Sequence, residues 1–380
     1  MTGRVPDAAA AKQAFLNLAD AEGARIPFYA RLCRVIAAHP ELHELLLVAP
    51  SNERLPVLVL DAVHDLVLRR PELPLARWYP SVTGASPPED DPTGPLLDAV
   101  RAHRDELVHL LRTRQVQTNE VNRSCAWWWG LTALTRDDRR PLHLVEVGAS
   151  GGLNLLLDAY AHRFRSTLDG DEVVGGDPMS GVRLECEVRA ALPDHLRAAL
   201  PEVVGRVGLD RRPVDLADAD DRRWLRACVW PEQRRRDERL TAALEMAARR
   251  PPRVVQGDLV ADLAPLLAEA APGAHVVVLS SWTLFFSEPD RRREFAEVLD
   301  ASSGPIRRAG GRLTLLSLED GRVLPWLEPP PLPPDADADH VHASLLVATS
   351  FDGDGPQATA LARCQAHMNW CEPLAGPAER

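Results

Sequence analysis

Six mostly apolar residues, Leu142-His-Leu-Val-Glu-Val147, run without a break into Gly148-Ala-Ser-Gly-Gly152, and this junction restricts the fold more than any other stretch. An apolar run of that length, ended by glycines, suits a strand covered on both faces. Leu153-Asn-Leu-Leu-Leu-Asp-Ala-Tyr160 follows at once and reads as helical. Strand, glycine turn and helix are expected in that order. Such a turn lets a ligand approach the backbone closely and sets it against the amides of a helix N-terminus. Glu146 lies two positions before the first glycine. Its carboxylate suits a positively charged ligand group or that group's ordered water, and it disfavours a phosphate.

The rest of the composition narrows the classes. A chain of 380 residues can form two domains, or one large α/β domain with a cap. Cys33, Cys125, Cys186, Cys228, Cys364 and Cys371 are scattered, with no CxxC pair and no histidine at metal-ligand spacing. They read as reduced packing residues of a cytoplasmic protein, and no metal is expected. The first residues carry no apolar signal core and no run of about 18 apolar residues occurs, so neither secretion nor a membrane span is expected. A formal net charge of -11, with arginines dispersed among carboxylates, disfavours a general nucleic-acid groove. Lys12 is the single lysine, which leaves Schiff-base chemistry and a Walker phosphate loop without their residue.

Residues 8–135 read as helical from apolar spacings of three and four, notably at 14–19, 28–36, 55–68 and 96–111. Between Pro71 and Pro95 lies a long irregular connection, a mobile flap or, preferably, a surface loop. The next segment gathers Gln117, Thr118, Asn119, Glu120, Asn122 and Arg123 just before Trp127-Trp-Trp129. On a helix these polar groups would share neighbouring faces and either pair with one another or line a cleft. Past the glycine turn, 163–190 reads as a hairpin-like insertion. Three further strands are expected at 203–210, 253–258 and 274–286, ending at Asp210, at Asp258 and at Ser280-Ser-Trp282. An acid at the end of the second strand is placed to accept from ribose hydroxyls, with Asp215 competing with Asp210 for that task. Asp258 could accept from an adenine amino group, and Ser281, Trp282 and Phe285 would look into the site. A fifth strand at 310–318 and two β-like runs at 343–350 and 357–364 complete the pattern.

Glu146-x-Gly-x-x-Gly-Gly resembles the first motif of class I S-adenosylmethionine-dependent methyltransferases, with Ser150 where their middle glycine is expected. The resemblance covers residues 140–370 and implies an α/β fold with a doubly wound, mostly parallel sheet ending in an antiparallel hairpin. An all-helical cap domain, 1–139, would precede the Rossmann-like domain, 140–380. It further implies S-adenosylmethionine as cofactor, held by Glu146, Gly148, Ser150, Gly151, Gly152, Asp210, Asp258 and Ser281. The acceptor is expected to be a small molecule: no Asn-Pro-Pro-Tyr or Asp-Pro-Pro-Tyr motif is present. Glu120 is the expected base, Asn119 and Arg123 orient the substrate, and Gln117, Asn154, Trp282 and Phe285 line its place. The whole chain also resembles an uncharacterised bacterial family known only as a domain of unknown function, through Gln117-Thr-Asn-Glu120 and Glu146 to Asn154. Two other readings stand beside methyl transfer. One is a methyltransferase-like scaffold that binds a nucleotide or partner without catalysis. The other is a nicotinamide-dependent oxidoreductase, whose Gly-x-Gly-x-x-Gly spacing this turn does not follow.

Overall fold

Chain contacts divide the protein into one unit of Met1–Asn119 with Asp218–Thr241 and a second of Glu120–Ala217 with Ala242–Arg380. The computed structural model describes residues 5–334, 336–353 and 355–374. The outer ends of both expected domains, 1–4 and 375–380, lie outside the described residues. The division falls some twenty residues before the expected boundary at 139/140. Its physical reason is the helix Ser124–Leu134, whose residues 124–132 are all buried and which packs on strands of the second unit. The Asp218–Thr241 segment joins the first unit because Trp224, Ala227 and Cys228 sit in that unit's apolar core.

The first unit is helical among its described residues, with helices at Ala8–Glu22, Pro27–Ala38, Pro56–Arg69, Thr93–Ala102, Arg104–Thr113 and Ala219–Ala227. Asp7 accepts the amide of Ala10, and Pro27 and Pro56 occupy first turns, where a missing N–H costs nothing. The expected helix at 96–111 is two helices, separated at His103. Residues 114–120 are irregular, so the polar segment at 117–123 is not the helix expected of it. Instead the Glu120 carboxylate accepts the Asn122 amide and starts a short 3-10 turn, Val121–Arg123.

The second unit is a mixed α/β structure whose described residues form an 11-stranded, mostly parallel sheet. Its strands are β1 Leu142–Val147, β2 Ala161–Ser166, β3 Glu172–Gly176, β4 Arg183–Val188, β5 Val203–Asp210 and β6 Val254–Gln256. The remainder are β7 His275–Ser281, β8 Arg312–Glu319, β9 Ser344–Phe351, β10 Pro356–Cys364 and β11 Trp370–Pro373. They are ordered β3-β2-β4-β11-β10-β9-β8-β7-β1-β5-β6. β1 is buried at every position between parallel β5 and β7, and its continuous apolar run follows from that. β9 runs antiparallel to both β8 and β10, whose connection includes Asp354, outside the described residues. The 163–190 insertion is the antiparallel pair β2 and β3 plus β4, which lies parallel to β2 and to β11.

The expected helix after the glycine turn is a seven-residue 3-10 segment, Leu153–Ala159, with Leu156 outside the helical region. Two side chains account for the early stop. Tyr160 donates its hydroxyl to the Leu153 carbonyl, and His162 Nε2 meets the Leu157 carbonyl at 2.7 Å, so the chain is already extended at β2. The three tryptophans are core rather than cleft. Trp128 stacks on His162 at 5.1 Å, Trp129 meets Phe164 at 6.0 Å, and Trp127 is fully buried. No helix among the described residues is long and apolar enough to cross a membrane.

Candidate functional site

Within the parallel run β6-β5-β1-β7-β8, the chain builds outward from β1 through β5 to β6, then crosses back to β7 on the other side. In open α/β sheets, ligands enter the crevice outside the carboxyl ends of the strands where the order reverses in this way. Here those ends deliver Glu146 to Gly148 from β1 and Ser280 to Trp282 from β7.

Glu146 is 3 % exposed. Its Oε1 accepts from Asn154 Nδ2 at 3.2 Å, while Oε2 is buried with no hydrogen-bond partner among the described residues. Burial pushes its carboxyl up to about 8. The charge of Asp210 adds to this, and the Asn154 amide and the Arg123 guanidinium oppose it. Asn154 Oδ1 in turn accepts the Ser124 hydroxyl at 2.8 Å, so helix Ser124–Leu134 fixes the amide that fixes the acid.

The glycine turn is held from outside. Gly148 and Gly152 have φ of +68° and +73°, and Ser150, at φ +51°, adopts the same left-handed region that its missing glycine would favour. A Cβ on Gly148 would meet Thr283 Oγ1 at 2.1 Å, one on Gly151 would meet Leu216 at 2.8 Å, and one on Gly152 would meet Pro252 and Val254 at 2.9 Å. Asp210 ties the turn to β5: its Oδ2 accepts the Ser150 amide at 2.8 Å and its Oδ1 the Arg212 amide at 2.8 Å. Asp215 accepts the Ala217 amide in the following loop. Asp258 follows Gly257, whose amide donates to the Asp210 carbonyl at 2.9 Å, and its carboxylate accepts from the amides of Val260 and Ala261 and from Arg291.

A second polar group joins the first through Arg123. Its Nε donates to the Ala366 carbonyl at 3.0 Å and its Nη1 to Ser281 Oγ at 3.4 Å. Glu120 is 3 % exposed, and its Oε2 lies 3.4 Å from His367 Nδ1. Asn122, fully buried, donates to the carbonyls of Glu185, His367 and Met368 and accepts the Glu185 amide at 3.0 Å. One residue therefore clamps β4 to the turn between β10 and β11.

Trp282 has φ +54° and donates Nε1 to Ser344 Oγ; its ring lies 4.8 Å from that of Phe285. The loop that carries them is anchored by Glu319 at the end of β8. This carboxylate, fully buried, accepts the Ser280 hydroxyl and the amides of Thr283, Leu284 and Phe285 at 2.9 to 3.2 Å. Burial raises its carboxyl, and those amides oppose the shift. Phe285 and Phe286 remain 40 % and 72 % exposed.

Of the expected site residues, Glu146, Asn154, Arg123 and Ser281 are brought together, with Glu120 beside them through His367. Gly148, Ser150, Gly151, Gly152 and Asp210 form the adjoining turn, and Trp282 and Phe285 the aromatic edge. Gln117 and Asn119 belong to the first unit. Asn122, a member of the polar segment before the tryptophans, was given no role, and Ser124, Glu319 and His367 were missed. Glu319 alone carried a readable signal, as the acid directly following the apolar run Leu313–Leu318.

No curated protein and no solved structure matches this chain. One family profile does, over residues 12–372, and by that match the chain belongs to the bacterial family described as "Uncharacterized protein conserved in bacteria (DUF2332)".

Proposed function

We propose that the second unit is a doubly wound S-adenosylmethionine-dependent methyltransferase domain that acts on a small-molecule acceptor. The observation that carries this reading is Glu146 Oε2, a buried carboxylate oxygen with no partner among the described residues, at the carboxyl end of the central strand. A buried acid in that state invites a cationic donor. The residues fit the cofactor at two further points. Each Asp210 oxygen accepts one amide, which leaves lone pairs for ribose hydroxyls, and Ser281 and Arg123 stand across the crevice. Bound there, the cofactor supplies an electrophilic methyl group. The chain's own task is alignment and exclusion of water, with Trp282 and Phe285 as the apolar wall, because positioning supplies most of the rate in such a displacement.

One observation favours a non-catalytic scaffold as second reading. The Cβ positions of Gly148, Gly151 and Gly152 are filled by Thr283, Leu216, Pro252 and Val254, so internal packing alone accounts for these glycines. Calorimetric titration with S-adenosylhomocysteine separates the two. Methyl transfer predicts micromolar binding that weakens about tenfold or more, at least 1.4 kcal/mol, in Asp210→Ala and in Glu146→Gln. No heat, from protein that mass spectrometry finds free of co-purified cofactor, favours the scaffold.

A further inference from the structure

We infer that His367, oriented by Glu120, is the proton acceptor of this site, and that the methyl acceptor is accordingly an O–H or N–H compound. The inference rests on the methyl-transfer reading for its substrate class. Its geometry is independent of it.

Glu120 is the buried member of the pair. Its Oε1 is committed to the Asn122 amide at 3.1 Å and its Oε2 faces His367 Nδ1, while the imidazole side chain retains 28 % exposure. A carboxylate placed so deep is poorly disposed to meet a substrate, whereas a ring partly open to solvent is well disposed. A carboxylate behind Nδ1 holds the proton on that nitrogen, leaves Nε2 as the basic atom, and stabilises the imidazolium that forms. A Nδ1–Oε2 separation of 3.4 Å is long for a hydrogen bond, as catalytic pairs often are before substrate arrives.

The backbone that carries this ring is held in place. Asn122 donates to the carbonyls of His367 and Met368, Arg123 to that of Ala366, and Gln365 Oε1 accepts the His367 amide at 2.7 Å. Met368, at φ +57°, closes the turn in the left-handed region, which a non-glycine residue adopts only against steric cost. Because the same guanidinium reaches Ala366 and Ser281, the turn carrying His367 is tied to the carboxyl end of β7. In the step itself, the acceptor's X–H proton passes to His367 Nε2. With a sulfonium methyl donor bound, the X–C bond would form as the donor's C–S bond broke, that bonding pair remaining on sulfur. Glu120 is thus a positioning residue, in place of the base that its sequence neighbourhood suggests.

The test is long-range proton–nitrogen NMR of the histidine-labelled full chain at pH 8, with His367 assigned by its disappearance in His367→Asn. The expected result is the Nδ1–H tautomer in the wild type and in Glu120→Gln, reverting to Nε2–H, the form favoured by free imidazole, in Glu120→Ala. A wild-type Nε2–H tautomer, or no change in Glu120→Ala, would overturn the pairing. S-adenosylhomocysteine titration of His367→Asn provides the second arm. A loss of affinity below about tenfold, under 1.4 kcal/mol, supports an acceptor-side role. A loss beyond tenfold would place His367 in the cofactor site and overturn the inference. If the wild type itself binds no S-adenosylhomocysteine, the methyl-transfer reading and the substrate class fall, and the tautomer result still decides the dyad.

Discussion

Replacing Glu146 by Gln should stabilise the protein at alkaline pH and destabilise it at acid pH. In the folded chain burial holds this carboxyl near 8 against an ordinary value of 4.5, so the folded state keeps its proton where the unfolded state has lost it. Below pH 4.5 both states are protonated and the acid costs nothing. Between 4.5 and 8 the folded state binds more protons than the unfolded one, so stability falls as pH rises; above 8 the full cost is present. At about 1.4 kcal/mol per pH unit, the span from 4.5 to 8 sets that cost at the order of 5 kcal/mol. Gln keeps the oxygen that accepts from Asn154 and replaces the unpartnered Oε2 with an unpartnered amide nitrogen, which takes back about 1–3 kcal/mol. The net expectation is a gain of about 2–4 kcal/mol at pH 8.5 and a loss of about 1–3 kcal/mol at pH 4.5, where the acid's cost is absent and the amide's remains. Urea unfolding of wild type and variant at both pH values, followed by fluorescence of the tryptophans of helix Ser124–Leu134 and of Trp282, reads it directly. A variant less stable than wild type at pH 8.5, or a gain equal at both pH values, would refute the assignment of Glu146 as a buried acid held without a partner.

Two further outcomes follow from the turn and its supports. Gly148→Ala places a Cβ at φ +68° against Thr283 Oγ1, which itself donates to the Val147 carbonyl. A loss of about 2–4 kcal/mol is expected in the urea midpoint, from left-handed strain and overpacking together. Glu319→Gln turns one of the oxygens that accept four donors into a donor itself, and should cost about 2–4 kcal/mol. Limited proteolysis should then cut first within 282–287, and a wild-type cleavage pattern would count against the anchoring role.

The strands of the second unit were readable because parallel strands covered on both faces become unbroken apolar runs. The expected strands at 203–210, 274–286 and 310–318 correspond to β5, β7 and β8. Glu146 was readable for the opposite reason, as a charge where such a run should end. The Leu153–Ala159 segment was not, because its apolar spacing fits a helix while Tyr160 and His162 take the carbonyls that a longer helix would use. Nor could the polar cluster be assembled from local sequence. Asn122 and His367 are 245 residues apart, and nothing near either marks the other. The Asn119 to Arg123 pattern pointed to a site but to the wrong local geometry, since i, i+3 spacing does not separate a helix from an irregular segment ended by a side-chain cap.

The path of the sheet carries a consequence for how the chain is made. β1 and β5 are immediate neighbours, yet the residues between them travel past β7, β8, β9 and β10 to build β2, β3 and β4 at the far edge. What joins that edge to the rest is β11, which meets β4 through Trp370↔Glu187 and Cys371↔Val188 and meets β10 on its other side. During synthesis the two halves of the sheet must wait, each with an open edge, until β11 emerges. Ending translation just before Trp370 would leave β4 and β10 as unprotected templates for pairing with other chains, so the shortest strand of the C-terminal region decides whether the nascent protein closes upon itself or aggregates.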